Sequence, residues 1–103
     1  MNKQEFISLM SQKSFGKFKQ DRFGHFVREA RNHQGEIEVK RLKVQDKTVR
    51  VEVQAVIPAS EYSPARKMWV RLGSAFYKDI VVLGGNHPRA GSIRIGNYAF
   101  KPE

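Results

Sequence analysis

The sequence predicts an α+β fold, with an N-terminal helical segment followed by a five-stranded antiparallel sheet curled into a small barrel or half-barrel. Three observations predict it. Residues 37–57 alternate apolar and polar with a period of two, the signature of half-buried strands. Before residue 34 the apolar residues recur at helical spacing instead. Turn-forming clusters then separate the later apolar runs, at Gln45-Asp46-Lys47, across Pro58 to Lys67, and at Gly84-Gly85-Asn86-His87-Pro88. The 103 residues read as a single domain, with a helical, basic and aromatic part over 1–34 and a sheet over 36–101.

Asn2 followed by Glu5 has the spacing of a helix N-cap with its capping-box partner. Phe6, Ile7, Leu9 and Met10 then make one apolar stripe, so a short helix is expected over about residues 3–13, ending at Ser14 to Gly16. A second helix is expected over 20–34. Phe23, Phe26, Val27 and Ala30 sit at i, i+3, i+4 and i+7, Asp21 can cap, and Gly35 can follow the last turn. Gly24 weakens this helix by about 1 kcal/mol relative to Ala. The competing reading is a strand through FGHFVREA that turns at NHQG.

From Glu36 the period is two. Ile37, Val39, Leu42 and Val44 alternate with charges, with a slip at Lys40–Arg41 that reads as a bulge. Val49, Val51, Val53, Ala55 and Ile57 return the chain, completing a hairpin with one wet face. Met68, Val70 and Leu72 form a third strand. Ala75 to Leu83 forms a fourth, whose IVVL run reads as covered on both sides. Ile93 and Ile95 begin a fifth that runs to about Lys101. The standard oligonucleotide-binding (OB) barrel places a helix between strands three and four. Here only Gly73-Ser74 lies between them, so the barrel is OB-like without that helix.

With Val49, Val51, Val53, Met68, Val70, Leu72, Ile93 and Ile95 inward, alternation turns Lys43, Arg50, Trp69, Arg71, Arg94 and Tyr98 outward. Cations interleaved with large rings on a sheet suit single-stranded nucleic acid, because cations track phosphates and rings stack on bases. The plainer reading packs Trp69 under the N-terminal helices and leaves the cations to guard a sheet edge. Nineteen Lys and Arg against ten Asp and Glu give a net charge of +9, more than an edge requires.

The stretch FGKFKQDRFGHF repeats a Phe-Gly-x-Phe unit among Lys17, Lys19, Arg22 and His25. The helical reading puts Phe23, Phe26 and Val27 in the core. It leaves Phe18, with Lys17, Lys19 and Arg22, as a candidate extension of the nucleic-acid path. The loop GGNHPRAGS offers backbone amides and Arg89 to a phosphate, but lacks the phosphate-loop pattern and reads more simply as a hairpin loop.

No cysteine is present, which excludes disulfides and thiolate zinc sites and fits a reducing compartment. His25, His33 and His87 have no metal-ligand spacing, so no metal and no cofactor are expected. No run approaches a membrane span and no signal-peptide core is evident, so a cytoplasmic protein without a membrane partner is expected. Motifs for serine hydrolases, zinc proteases and dinucleotide enzymes are missing. A metal-independent ribonuclease built on His87, Arg89 and Glu61 is the remaining enzymatic alternative, and we read the chain as a binding protein rather than an enzyme. A small structural subunit of a nucleoprotein particle, self-associating as a homodimer, is the other alternative. In type, the chain resembles the small single-stranded-DNA-binding proteins of phages and plasmids, which are short, basic, cysteine-free and β-rich with scattered aromatics. No motif singles out one family, and no residue is carried over from that resemblance. The expected function is single-stranded nucleic-acid binding, DNA before RNA, with little sequence preference.

Overall fold

Asn2 starts the first element. Its side chain accepts from the Glu5 backbone N–H at 2.8 Å, and the Glu5 carboxylate accepts from the Asn2 N–H at 3.3 Å, a complete capping box. Helix α1 runs Lys3–Met10, shorter than the sequence predicts, and buries Phe6 and Met10 one turn apart. A single 3₁₀ turn at Lys13–Phe15 follows. The computed structural model describes residues 1–84, 86 and 91–102.

The second helix is not there. Residues 19–31 form a hairpin of β1 (Lys19–Gln20) and β2 (Phe26–Arg31), as the competing strand reading has it. Two equivalent turns decide this. The Asp21 carboxylate accepts from the N–H groups of Phe23 and His25, both at 2.9 Å, and Gly24 takes φ +83°. The Asn32 side chain accepts from Gln34 at 2.9 Å and Glu36 at 3.0 Å, and Gly35 takes φ +80°. An Asx residue followed three positions later by a left-handed glycine closes each hairpin. Asp21 and Gly35 therefore act as turn residues, not as helix caps.

Next come β3 (Ile37–Val44) and β4 (Thr48–Ile57), with the bounds the alternation predicts. Their register is regular through Lys40 and Arg41, so the expected bulge in β3 is absent, and Ile37 and Val39 face away from Leu42 and Val44. The bulge lies in β5 (Arg66–Phe76) instead. Glu52 pairs with Arg71 and Val51 with Gly73, leaving Leu72 as the extra residue. One strand thus runs through Gly73-Ser74 and takes in the expected third strand and only the start of the expected fourth, whose remainder is a 3₁₀ turn and a separate short strand. These five strands form a sheet in chain order, all antiparallel.

A second sheet holds β6 (Val81–Val82), β7 (Ile93–Ile95) and β8 (Tyr98–Phe100), after a 3₁₀ turn at Tyr77–Asp79. The expected fifth strand is therefore a hairpin, folded at Gly96 with φ +60°. Val81 and Val82 are each 44% exposed, so the IVVL run is not covered on both sides. No closed barrel is found among the described residues. His87 and Arg89 lie outside them, with most of their loop.

The core fills the space between the sheets at one end. Phe26, Leu42, Val49 and Val51 come from the first sheet, Ile93, Ile95 and Phe100 from the second, and Phe6 and Met10 from α1. Phe6 meets Phe26 edge-on with centroids 6.2 Å apart and leans on Tyr77 at 5.8 Å. The Tyr77 hydroxyl donates to the Gln45 carbonyl at 2.5 Å, tying the 3₁₀ turn Tyr77–Asp79 to the β3–β4 turn. Beyond this end the β4–β5 hairpin projects, and the molecule extends 53 × 32 × 23 Å. Met68, Val70 and Leu72, expected inward, are 45%, 39% and 37% exposed, because the short second sheet does not reach them.

Phe6→Ala should cost about 3–5 kcal/mol, because the ring joins α1, β2 and the 3₁₀ turn in a site with no exposure. Urea unfolding followed by circular dichroism measures it.

Candidate nucleic-acid interface

The face of the first sheet turned away from the core is set by register. Val49 and Val51 point inward, so Arg50 and Glu52 point outward. Across the strands Lys43, Arg50 and Ser74 make one row. Val27, Arg41, Glu52 and Arg71 make the next. Trp69 stands opposite Gln54 in the row beyond.

Glu52 is buried at the centre of this band. Its Oε1 accepts from Arg41 Nε at 2.8 Å and lies 2.6 Å from Arg41 Nη2, while Oε2 lies 3.8 Å from Arg50 Nη1. A buried carboxylate needs such partners, since burying it unpaired is costly. The Arg41 guanidinium also lies over the Trp69 ring, 4.4 Å from its centroid. Arg41 is therefore held on its edge by Glu52 and on its face by the indole. Arg71 is exposed and, among the described residues, donates only to Ser74 Oγ, at 2.8 Å. Lys43, Arg50 and Arg71 are the cations of this band that remain open to an anion, surrounding a half-buried indole.

The first hairpin continues the band. His25 Nδ1 accepts from the Val44 N–H at 3.0 Å, so the imidazole sits beside Lys43 with Nδ1 unprotonated. Burial lowers its pKa from the ordinary 6.5, Arg41 and Lys43 lower it further, and Asp21 and Glu52 oppose them. Phe23 stacks on His25 with centroids 6.4 Å apart, and the Arg22 guanidinium lies over the Phe23 ring, 4.8 Å from its centroid. Phe23 is 66% exposed, contrary to the core position expected of it.

Of the residues the sequence singles out, Lys43, Arg50, Trp69 and Arg71 share this face. Lys19 pairs with Val27 at its margin and is exposed, as are Lys17 in the preceding turn and Arg22 at the hairpin tip. Three do not join them. Phe18 is buried edge-on against Phe100, with the Arg28 guanidinium 5.2 Å from its centroid, so it is core and cannot touch a nucleic acid. Of the two Phe-Gly-x-Phe units, Phe26 is core as expected, but Phe15 and Phe18 are buried as well, and Phe23 is the one exposed ring of the four. Tyr98 packs its ring against Gly73, where a Cβ would lie 3.3 Å from its Cε2, and belongs to the core margin. Arg94 is exposed between buried Ile93 and Ile95, on the outer side of the second sheet and across the core from the basic face.

Arg41, Glu52, His25 and Phe23 are the members that the sequence reading passed over. Unbroken alternation back from Leu42 puts Arg41 beside Lys43, and the supposed bulge hid it.

Among the described residues no group of three His, Asp or Glu side chains is placed to hold a metal ion. No helix among them is long and apolar enough to cross a membrane. Compared with protein-family models, curated proteins and solved structures, the chain matches none.

The unfolded chain takes up the His25 proton near pH 6.5, and the folded chain only at lower pH. Stability should therefore be full above pH 6.5 and fall as the pH drops below it. In His25→Gln, which keeps an acceptor but does not titrate, that part of the fall should vanish. Urea midpoints between pH 7.5 and 5 test this.

Proposed function

We propose that the chain binds single-stranded nucleic acid, DNA before RNA and with little sequence preference, along the outer face of the five-stranded sheet. The observation that carries this reading is the band of Lys43, Arg50 and Arg71 around the half-buried Trp69. The backbone of a strand follows the cations, and a base stacks on the exposed part of the indole against the fixed guanidinium of Arg41. Lys19, Arg22 and Phe23 extend the path past the first hairpin, with Phe23 as a second stacking ring. A sheet curled toward a half-barrel would cup the strand.

A single strand is favoured over a duplex because both rings stand on a sheet surface, where only unpaired bases present their faces. Glu52 does not oppose binding, because its charge is already matched by Arg41. The reading is one of binding without catalysis, in a cytoplasmic setting.

The chain has one tryptophan, so its fluorescence reports the site directly. Titration with a single-stranded DNA oligomer should quench it, more weakly at higher salt, and more than an equal length of duplex does. Absence of quenching and of any mobility shift, with DNA or RNA, overturns the proposal. Trp69→Ala should cost about 1–3 kcal/mol of binding with the salt dependence unchanged. Arg71→Ala should reduce the slope of log K against log salt by about 0.7, one phosphate contact fewer.

A further inference from the structure

β5 is an edge strand of eleven residues, and nothing pairs with its outer side among the described residues. Long edges of this kind are templates for a further strand. The opposite edge differs. There β1 covers Phe26 and Val27, and the remainder of β2 carries exposed Glu29 and Arg31. On β5 the exposed residues include Met68 and Val70, which share the core-side face beyond the reach of the second sheet. Half-buried Val53 and Ala55 lie beside them on β4.

Any partner strand must tolerate Arg66, Lys67 and Arg71. A second copy of β5 does so in one register that stays within the regular stretch before the bulge. Centred on Met68, an antiparallel two-fold pair sets each Lys67 against the other chain's Trp69, and each Arg66 against Val70. Arg71 then faces Ala65, and no cation faces another. Centring on Lys67 or Arg71 opposes identical charges, and centring on Trp69 opposes Lys67 to Arg71. Centring on Val70 or Leu72 forces the ladder through the bulge at Leu72.

We propose that two copies of the chain associate through β5, antiparallel and centred on Met68, joining their five-stranded sheets into one. The two-fold axis stands perpendicular to the sheet, so both basic faces lie on the same side. Met68 and Val70 of both chains then form one apolar stripe on the other side. This association does not depend on nucleic acid, and each copy keeps the net charge of +9, so added salt should strengthen it. Salt acts in the opposite sense on the nucleic-acid affinity, which separates the two proposals.

Sedimentation velocity without nucleic acid should show a dimer. Met68→Lys, which opposes two ammonium groups at the centre of the pair, should give a monomer with an unchanged circular dichroism spectrum. The chain has no cysteine of its own, so single cysteines report geometry cleanly. Directly opposed Cβ atoms lie about 4.5–5.5 Å apart, close to what a disulfide spans. Met68→Cys should therefore cross-link two chains under mild oxidation. Val70→Cys should not, because the two copies of residue 70 would stand about 13 Å apart along the ladder. A chain that stays monomeric up to about 100 μM, where a micromolar dimer would be nearly complete, overturns the proposal. So does a dimer that Met68→Lys leaves intact, or cross-linking at residue 70 in preference to 68.

Discussion

The pleat of β4 is the constraint on which the rest depends. Val49 and Val51 are fully buried between the sheets, and that fixes Arg50 and Glu52 on the other face. Register then carries the decision outward, to Arg41 and Lys43 on β3 and to Arg71 and Ser74 on β5. A slip by one residue would put both valines in water and a carboxylate and a guanidinium in the core. The basic band is therefore a consequence of the core, and its geometry is as rigid as the packing of Val49, Val51 and Phe6.

Cations crowded on neighbouring strands repel one another, and Glu52 is what makes the crowding tolerable. It sits lowest in the band, almost without exposure, and accepts a hydrogen bond from Arg41 Nε within a close ion pair. This divides the cations into two kinds. Arg41 is structural, its charge matched and its plane laid on Trp69. Lys43, Arg50 and Arg71 keep donors facing solvent. The fixed guanidinium of Arg41 thereby holds the carboxylate and the indole in one arrangement between them.

The sequence discloses elements whose local pattern has only one physical explanation. The capping box at Asn2 and Glu5 is one, and the clean alternation from Thr48 to Ile57 is another. It misleads where two explanations share a pattern. Phe23, Phe26, Val27 and Ala30 fit a helix by spacing, yet Asp21 with Gly24 and Asn32 with Gly35 make hairpin turns from residues that also serve as helix caps. Exposure is the other failure. Met68 and Val70 are apolar enough for a core, but a second sheet with strands of two or three residues is too small to cover them, and Val81 and Val82, on an edge strand of that sheet, are left half open as well. That deficit arises between elements distant in sequence and leaves no local mark.

Leu72 shows how much rests on one such unmarked feature. Gly73 and Ala75 stand opposite Val51 and Val49, so the end of β5 is in phase with the core. Without an extra residue, strict alternation would carry Arg71 and Trp69 to the core side, away from Arg41. The bulge reverses the phase. Arg71 pairs with Glu52 and Trp69 with Gln54, which puts both beside the band, and Val70 and Met68 turn to the opposite face. One inserted residue therefore sets the indole on the guanidinium of Arg41 and also leaves an apolar pair on the far half of the edge strand. The indole–guanidinium pair and the exposed edge are two results of the same backbone irregularity.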